Sequence, residues 1–204
     1  MIESSPGQWS PCDCNLPKHL RAVLPPHYQE ARLEQFAITQ LDNPKETIAE
    51  RVRHWIAAPA DGLFILGPAG SGKTHLAAAI VRELVFAWKP VLFLRVADFL
   101  RELRRHYAEN ESEIPYLDEL AAIHWLALDD VGTAGLGDHQ RSAILDLIDR
   151  RINDCHPTIV TSNWTLAEIC ERMDDRLANR LGAFGYLGFP FDTQHPDFQD
   201  YRTK

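Results

Sequence analysis

Eight consecutive residues, Gly67-Pro68-Ala69-Gly70-Ser71-Gly72-Lys73-Thr74, have the spacing G-x-x-x-x-G-K-T. Gly67, Gly70 and Gly72 let the backbone turn tightly and bring its N–H groups towards phosphate oxygens. A helix opening at Lys73 adds the positive end of its dipole. The Lys73 ammonium suits the β- and γ-phosphates, and the Thr74 hydroxyl suits Mg²⁺. His75 follows directly and completes the candidate binding set. The apolar run Leu63-Phe64-Ile65-Leu66 precedes the loop and a helical pattern follows it. That strand–loop–helix setting predicts a site for ATP with Mg²⁺ rather than a Gly-rich structural turn.

Further residues suit the same chemistry. Leu126-Ala127-Leu128-Asp129-Asp130 reads as a buried strand ending in two acids. At a strand's carboxyl end, Asp129 is placed to hold Mg²⁺, and Asp130 to orient and deprotonate an attacking water. Thr158-Ile159-Val160-Thr161-Ser162-Asn163 is another buried strand with a polar end, from which Asn163 reaches the γ-phosphate or the water; turn and capping chemistry is the alternative. Arg172, Arg176 and Arg180 recur every four residues and so share one helix face. That stripe is either an arginine finger for a neighbouring subunit's ATP or a solvated face paired with Glu171, Asp174 and Asp175. Arg101, Arg104 and Arg105, with His106 adjacent, form a second basic stripe, a nucleic-acid contact or a solvated face.

These groups require elements to position them. Thr47 to Ala58 has helical periodicity through Ile48, Val52, Trp55 and Ile56. Strands are predicted at Leu63–Leu66, Val91–Val96, Trp125–Leu128, Thr158–Thr161 and Tyr186–Phe189. Helices are predicted from Lys73 to Trp88, from Val96 through Tyr107, and through Ile144 to Ile152. Thr165-Leu166-Ala167-Glu168 has the form of a capping box opening another helix. Alternating strands and helices predict a parallel sheet covered on both faces. Residues 1–30, rich in Pro and Cys with little periodicity, read as an extended or partly disordered arm, leaving 31–204 as the nucleotide-binding domain.

The bulk properties narrow the classes. The 204 residues fit one domain of ordinary size, 45% hydrophobic and 25% charged. No apolar run is long enough to span a bilayer and the first residues are polar and acidic, so a cytoplasmic location is expected. A net charge of −8 argues against a protein that coats nucleic acid. Cys12, Cys14, Cys155 and Cys170 have no disulfide-framework spacing. Cys12 and Cys14 with His19 lack the four-ligand pattern of zinc, so reduced thiols are expected.

Together these motifs resemble the AAA+ ATPases of the DnaC/DnaI helicase-loader and IstB transposition-helper group, over roughly residues 24–202. Leu24 to Phe36 is similar to the segment leading into that domain. Leu128-Asp129-Asp130-Val131-Gly132 is similar to its Walker B motif, Pro157 to Asn163 to its sensor 1 strand, Asp175-Arg176-Leu177 to its arginine-finger motif, and Tyr201-Arg202 to its closing residues. The resemblance implies a five-stranded parallel sheet in the order 5-1-4-3-2. It also implies a homo-oligomer in the ATP state, with Arg176 (or Arg180) completing a neighbour's site. Implied partners are a replicative helicase or a transposase, with single-stranded DNA, and no membrane. About 20 residues follow the arginine helix, too few for a helical lid. The segment before the domain is shorter than the partner-binding domain of most such proteins. The expected activity is ATP hydrolysis, slow without DNA or partner; an ATP-gated adaptor without meaningful hydrolysis is the contrasting expectation.

Overall fold

The computed structural model describes residues 2–5, 8–10, 16–36, 39–40, 43–59, 62–132 and 136–189. Its centre is a sheet of five strands: β1 (Gly62–Leu66), β2 (Val91–Arg95), β3 (Trp125–Val131), β4 (Thr158–Ser162) and β5 (Gly185–Gly188). All four pairings are parallel and the spatial order is β2-β3-β4-β1-β5, the 5-1-4-3-2 order implied by the resemblance. β1 and β4 are buried along their whole length, which is why their sequences read as continuous runs rather than alternations.

Among the described residues, eight α-helices cover the sheet: α1 (Leu16–Val23), α2 (Ile48–Ala57), α3 (Lys73–Phe86), α4 (Val96–Ala108), α5 (Ile114–Ala122), α6 (Asp138–Asn153), α7 (Leu166–Arg172) and α8 (Asp175–Gly182). Alternate strand residues feed two cores. Leu63, Ile65, Ala127 and Ile159 pack with α1, α2 and α3 on one face. Phe64, Leu66, Leu128 and Val160 pack with α4 to α8 on the other. Short antiparallel pairs, Ile2–Ser5 with Gln8–Ser10 and Thr39–Gln40 with Asn43–Thr47, lie outside this sheet. Thr47 caps α2 in a reciprocal box with Glu50, and Thr165 does the same for α7 with Glu168. No described helix is long and apolar enough to cross a membrane.

Three features differ from the sequence reading. Residues 1–30 were read as an extended or partly disordered arm, but Leu16–Val23 is a helix, because Leu16, Leu20 and Leu24 form an i, i+4, i+8 stripe buried in the core beside α3. β3 runs past Leu128 to Val131, carrying both acids inside the strand. The arginine stripe is not one helix: Met173 and Asp174 leave helical geometry, Asp174 caps α8, and Arg172 sits on α7 while Arg176 and Arg180 sit on α8.

Arg151 of α6 is fully buried. Its guanidinium donates to the carbonyls of Leu120, Ala121, Ile123, His124 and Pro157 and to Thr158 Oγ1, at 2.6 to 3.2 Å. The planar fork thus ties the end of α5 to the starts of β3 and β4. Burial pushes its pKa down to about 10, still charged near neutrality.

Candidate functional site

The loop between β1 and α3 lies at the carboxyl edge of the sheet. Gly67 N–H donates to the Ser162 carbonyl at 3.3 Å, anchoring the loop to β4. Gly70 and Gly72 have φ of 86° and 93°, conformations that side chains with a Cβ resist. The left-handed Gly72 is the residue from which α3 starts. No side chain caps α3 and no acid lies in its first turn, so its first N–H groups and dipole are left for an anion. Lys73 is buried and its Nζ donates to the Pro68 carbonyl at 2.7 Å. Burial pushes its amine down to about 8, against the opposing pull of Asp130 and Asp129.

Across the cleft, β3 carries one extra residue relative to β4. Leu128 pairs with Val160 and Val131 with Ser162, so Asp129 and Asp130 together face Thr161. Consecutive strand residues normally point to opposite faces. Here Asp130 has a φ of 66° and both acids line the same cavity. Thr161 Oγ1 donates to Asp129 Oδ1 and accepts from Asp130 N–H, both at 2.8 Å. Asn163 Nδ2 donates to Asp130 Oδ1 at 2.8 Å. Burial raises the Asp129 pKa, while the Thr161 and Thr74 hydroxyls oppose the rise by bonding the carboxylate. Thr74 and Asp129 therefore converge as hard oxygen donors, a set that fits Mg²⁺.

The cavity measures about 870 Å³. Ala69, Gly70, Gly72, Lys73, Thr74 and His75 line one side, and Asp129, Asp130, Thr161 and Asn163 the other. Gly67, Pro68 and Ser71 belong to the loop but not to this lining; the buried Ser71 hydroxyl has no partner among the described residues. Sequence reasoning gave no role to Thr161 or to three wall residues from the segment before α2, His27, Tyr28 and Gln35. Gln35 Oε1 bonds His75 Nε2 at 2.6 Å, and the Tyr28 and Phe36 rings lie 6.3 and 5.8 Å from the His75 ring. These contacts join residues about 40 apart in sequence, and no periodic pattern announces them.

Arg176 and Arg180 lie elsewhere. They flank a separate cavity of about 440 Å³ with Asp149, Ile152, Asn179 and Phe184. Asp174 accepts from the Arg176 backbone N–H at 2.8 Å and from its guanidinium at 3.1 and 3.2 Å. Arg180 Nε bonds Asp149 at 2.6 Å. Arg172 pairs with Glu168 and lies over Trp164. The α4 basic stripe is largely neutralised: Arg101 pairs with Asp98, Arg105 with Glu102 and Glu109, and His106 with Glu111. Of its arginines, Arg104 has no acidic partner among the described residues. Cys12, Cys14, Tyr201 and Arg202 lie outside the described residues. His19 packs edge-on against Trp88, and among the described residues no group of three metal-ligating side chains occurs.

A family model described as "IstB-like ATP binding protein" matches residues 16–181. The "Replicative helicase loader DnaC" of Escherichia coli (strain K12) is 30% identical over 116 residues, 56% of this chain and 47% of its own. This chain therefore spans about half the length of that curated relative. A crystal structure of the DnaC helicase loader superposes with a TM-score of 0.68 at 23% identity, over 81% of this chain and 100% of the other. The replication initiator DnaA bound to AMPPCP and single-stranded DNA superposes with a TM-score of 0.69 at 20% identity, over 84% of this chain and 52% of the other. Both structural likenesses concern the fold.

Proposed function

Because this chain belongs to the family of IstB-like ATP-binding proteins, we propose that it binds and hydrolyses ATP and uses the cycle to load a replicative DNA helicase. The observation that carries the hydrolytic part is the convergence of Lys73, Thr74, Asp129, Asp130 and Asn163 on one cavity. The loop backbone and the start of α3 cradle the phosphates, and Lys73 leaves the Pro68 carbonyl for them. Thr74 and Asp129 would hold Mg²⁺, whose charge neutralises the β- and γ-phosphate oxygens. Asp130, held by Asn163, orients and deprotonates the attacking water. Arg176, which lines a different cavity from the nucleotide site of its own chain, serves a neighbouring subunit's ATP, so turnover waits for assembly. Arg180, held by Asp149, is the alternative finger.

The similarity to the helicase loader DnaC supports the choice of partner. The test is capture of a purified replicative helicase by this protein in the ATP, ADP and nucleotide-free states. Absence of binding in all three would sink the loader reading. The family model equally supports a transposition helper of the IstB kind, which would bind a transposase instead. The net charge of −8 and the ion-paired α4 face favour the loader, since a helper that coats DNA needs a broad basic surface. Single-stranded DNA contacts, if made along α4, centre on Arg104.

A further inference from the structure

We propose that the Thr161 hydroxyl is the positioning group of the metal–nucleotide site, holding the extra residue of β3 so that Asp129 and Asp130 both face the phosphates. The inference rests on the ATP site proposed above. Two adjacent residues of a regular strand point to opposite faces, and extra residues are rare between parallel strands. A carboxylate pair acting on one nucleotide needs both on the same side. The skip between Leu128 and Val131 achieves this, but it takes the Asp130 N–H out of the ladder and leaves it needing an acceptor.

Thr161 Oγ1 is that acceptor, at 2.8 Å. A hydroxyl has one proton, and this one is given to Asp129 Oδ1, also at 2.8 Å. One atom therefore fixes the backbone of the second acid and the carboxylate of the first. Thr161 is 1% exposed, and its only proton is already committed to Asp129. It acts through the two acids rather than as a catalytic residue. Valine at this position has nearly the same shape but would remove both the acceptor that Thr161 gives the Asp130 N–H and the donor it gives Asp129. Serine would keep both bonds.

The test measures binding of a fluorescent ATP analogue to the whole chain, with EDTA and across a Mg²⁺ titration, for wild type, T161V and T161S. ATP turnover is measured in parallel. T161V is expected to bind the analogue normally in EDTA but to need about 10–100-fold more Mg²⁺ for half-maximal effect. T161S is expected to match the wild type. T161A replaces T161V should the latter not fold. A wild-type Mg²⁺ requirement in the variant lacking the hydroxyl, or an equal defect in T161S, overturns the inference. A wild type that hydrolyses no ATP, alongside a shifted Mg²⁺ requirement in T161V, removes the hydrolytic reading and leaves this one standing. A wild type whose nucleotide binding ignores Mg²⁺ overturns the roles of Thr74, Asp129 and Thr161 together.

Discussion

Asn163, just beyond the end of β4, donates its side-chain amide to the Asp130 carboxylate on β3 at 2.8 Å. The two residues are 33 apart in sequence and meet because β4 lies between β1 and β3. The contact fixes one oxygen of the Asp130 carboxylate. Asp130→Asn is expected to lower ATP turnover by about 10²–10⁴-fold with nucleotide affinity little changed. Steady-state phosphate release and nucleotide titration check it; unchanged turnover would remove Asp130 from the chemistry and favour the adaptor reading.

The lowered pKa of Lys73 gives a pH signature. Free of nucleotide, the amine titrates near 8, and bound phosphate raises that value. Binding then takes up a proton at and above that pH. Affinity for ATP should be flat below about pH 7 and fall as pH rises through 8. Titrations between pH 6.5 and 9.5 read this directly, and a flat profile would mean that Lys73 stays charged without ligand.

Arg176→Ala is expected to leave binding of ATP to the monomer intact and to reduce stimulated turnover by about 10³-fold or more. The assembly formed with ATP should weaken as well. Mixing Arg176→Ala with Asp130→Asn chains separates the roles, because a finger in trans restores activity at mixed interfaces. Light scattering and turnover of the mixture are the measurements. If Arg180→Ala behaves this way and Arg176→Ala does not, the roles exchange.

Arg151→Met keeps the length of the side chain but takes the guanidinium from the carbonyls of Leu120, Ile123 and His124, while those of Ala121 and Pro157 keep their bonds to His156 Nδ1 and the Leu126 N–H. A loss of about 3 kcal/mol or more is expected from these unmet acceptors. Urea unfolding checks it, and Arg151→Lys should recover only part, since an ammonium cannot span the same fork.

Leu20→Ala tests whether the segment before the ATP loop belongs to the folded core. The loss of a buried Leu side chain should cost about 2 kcal/mol, read as a lower melting temperature. No change would mean that α1 packs loosely.

Much of the sheet was legible because each buried strand is a short apolar run between helical patterns, and the glycine spacing located the loop. The arrangement of Asp129 and Asp130 was not. Both acids were assigned to the site from their place at a strand end, but the extra residue that turns them to one side appears only in the register with β4. α1 was hidden for another reason: Pro17, Pro25 and Pro26 mask a Leu stripe whose period is plain once the core is seen. The separation of Arg172 from Arg176 escaped because a four-residue spacing continues smoothly through Asp174, whose capping role depends on backbone angles.

The extra residue of β3 also has an evolutionary reading. Removing a single codon at position 130 would restore an unbroken register with Thr161 and take away the water-facing acid, while Lys73, Thr74 and Asp129 stayed in place. On the proposed mechanism, one in-frame deletion would turn a nucleotide-consuming chain into a nucleotide-sensing one.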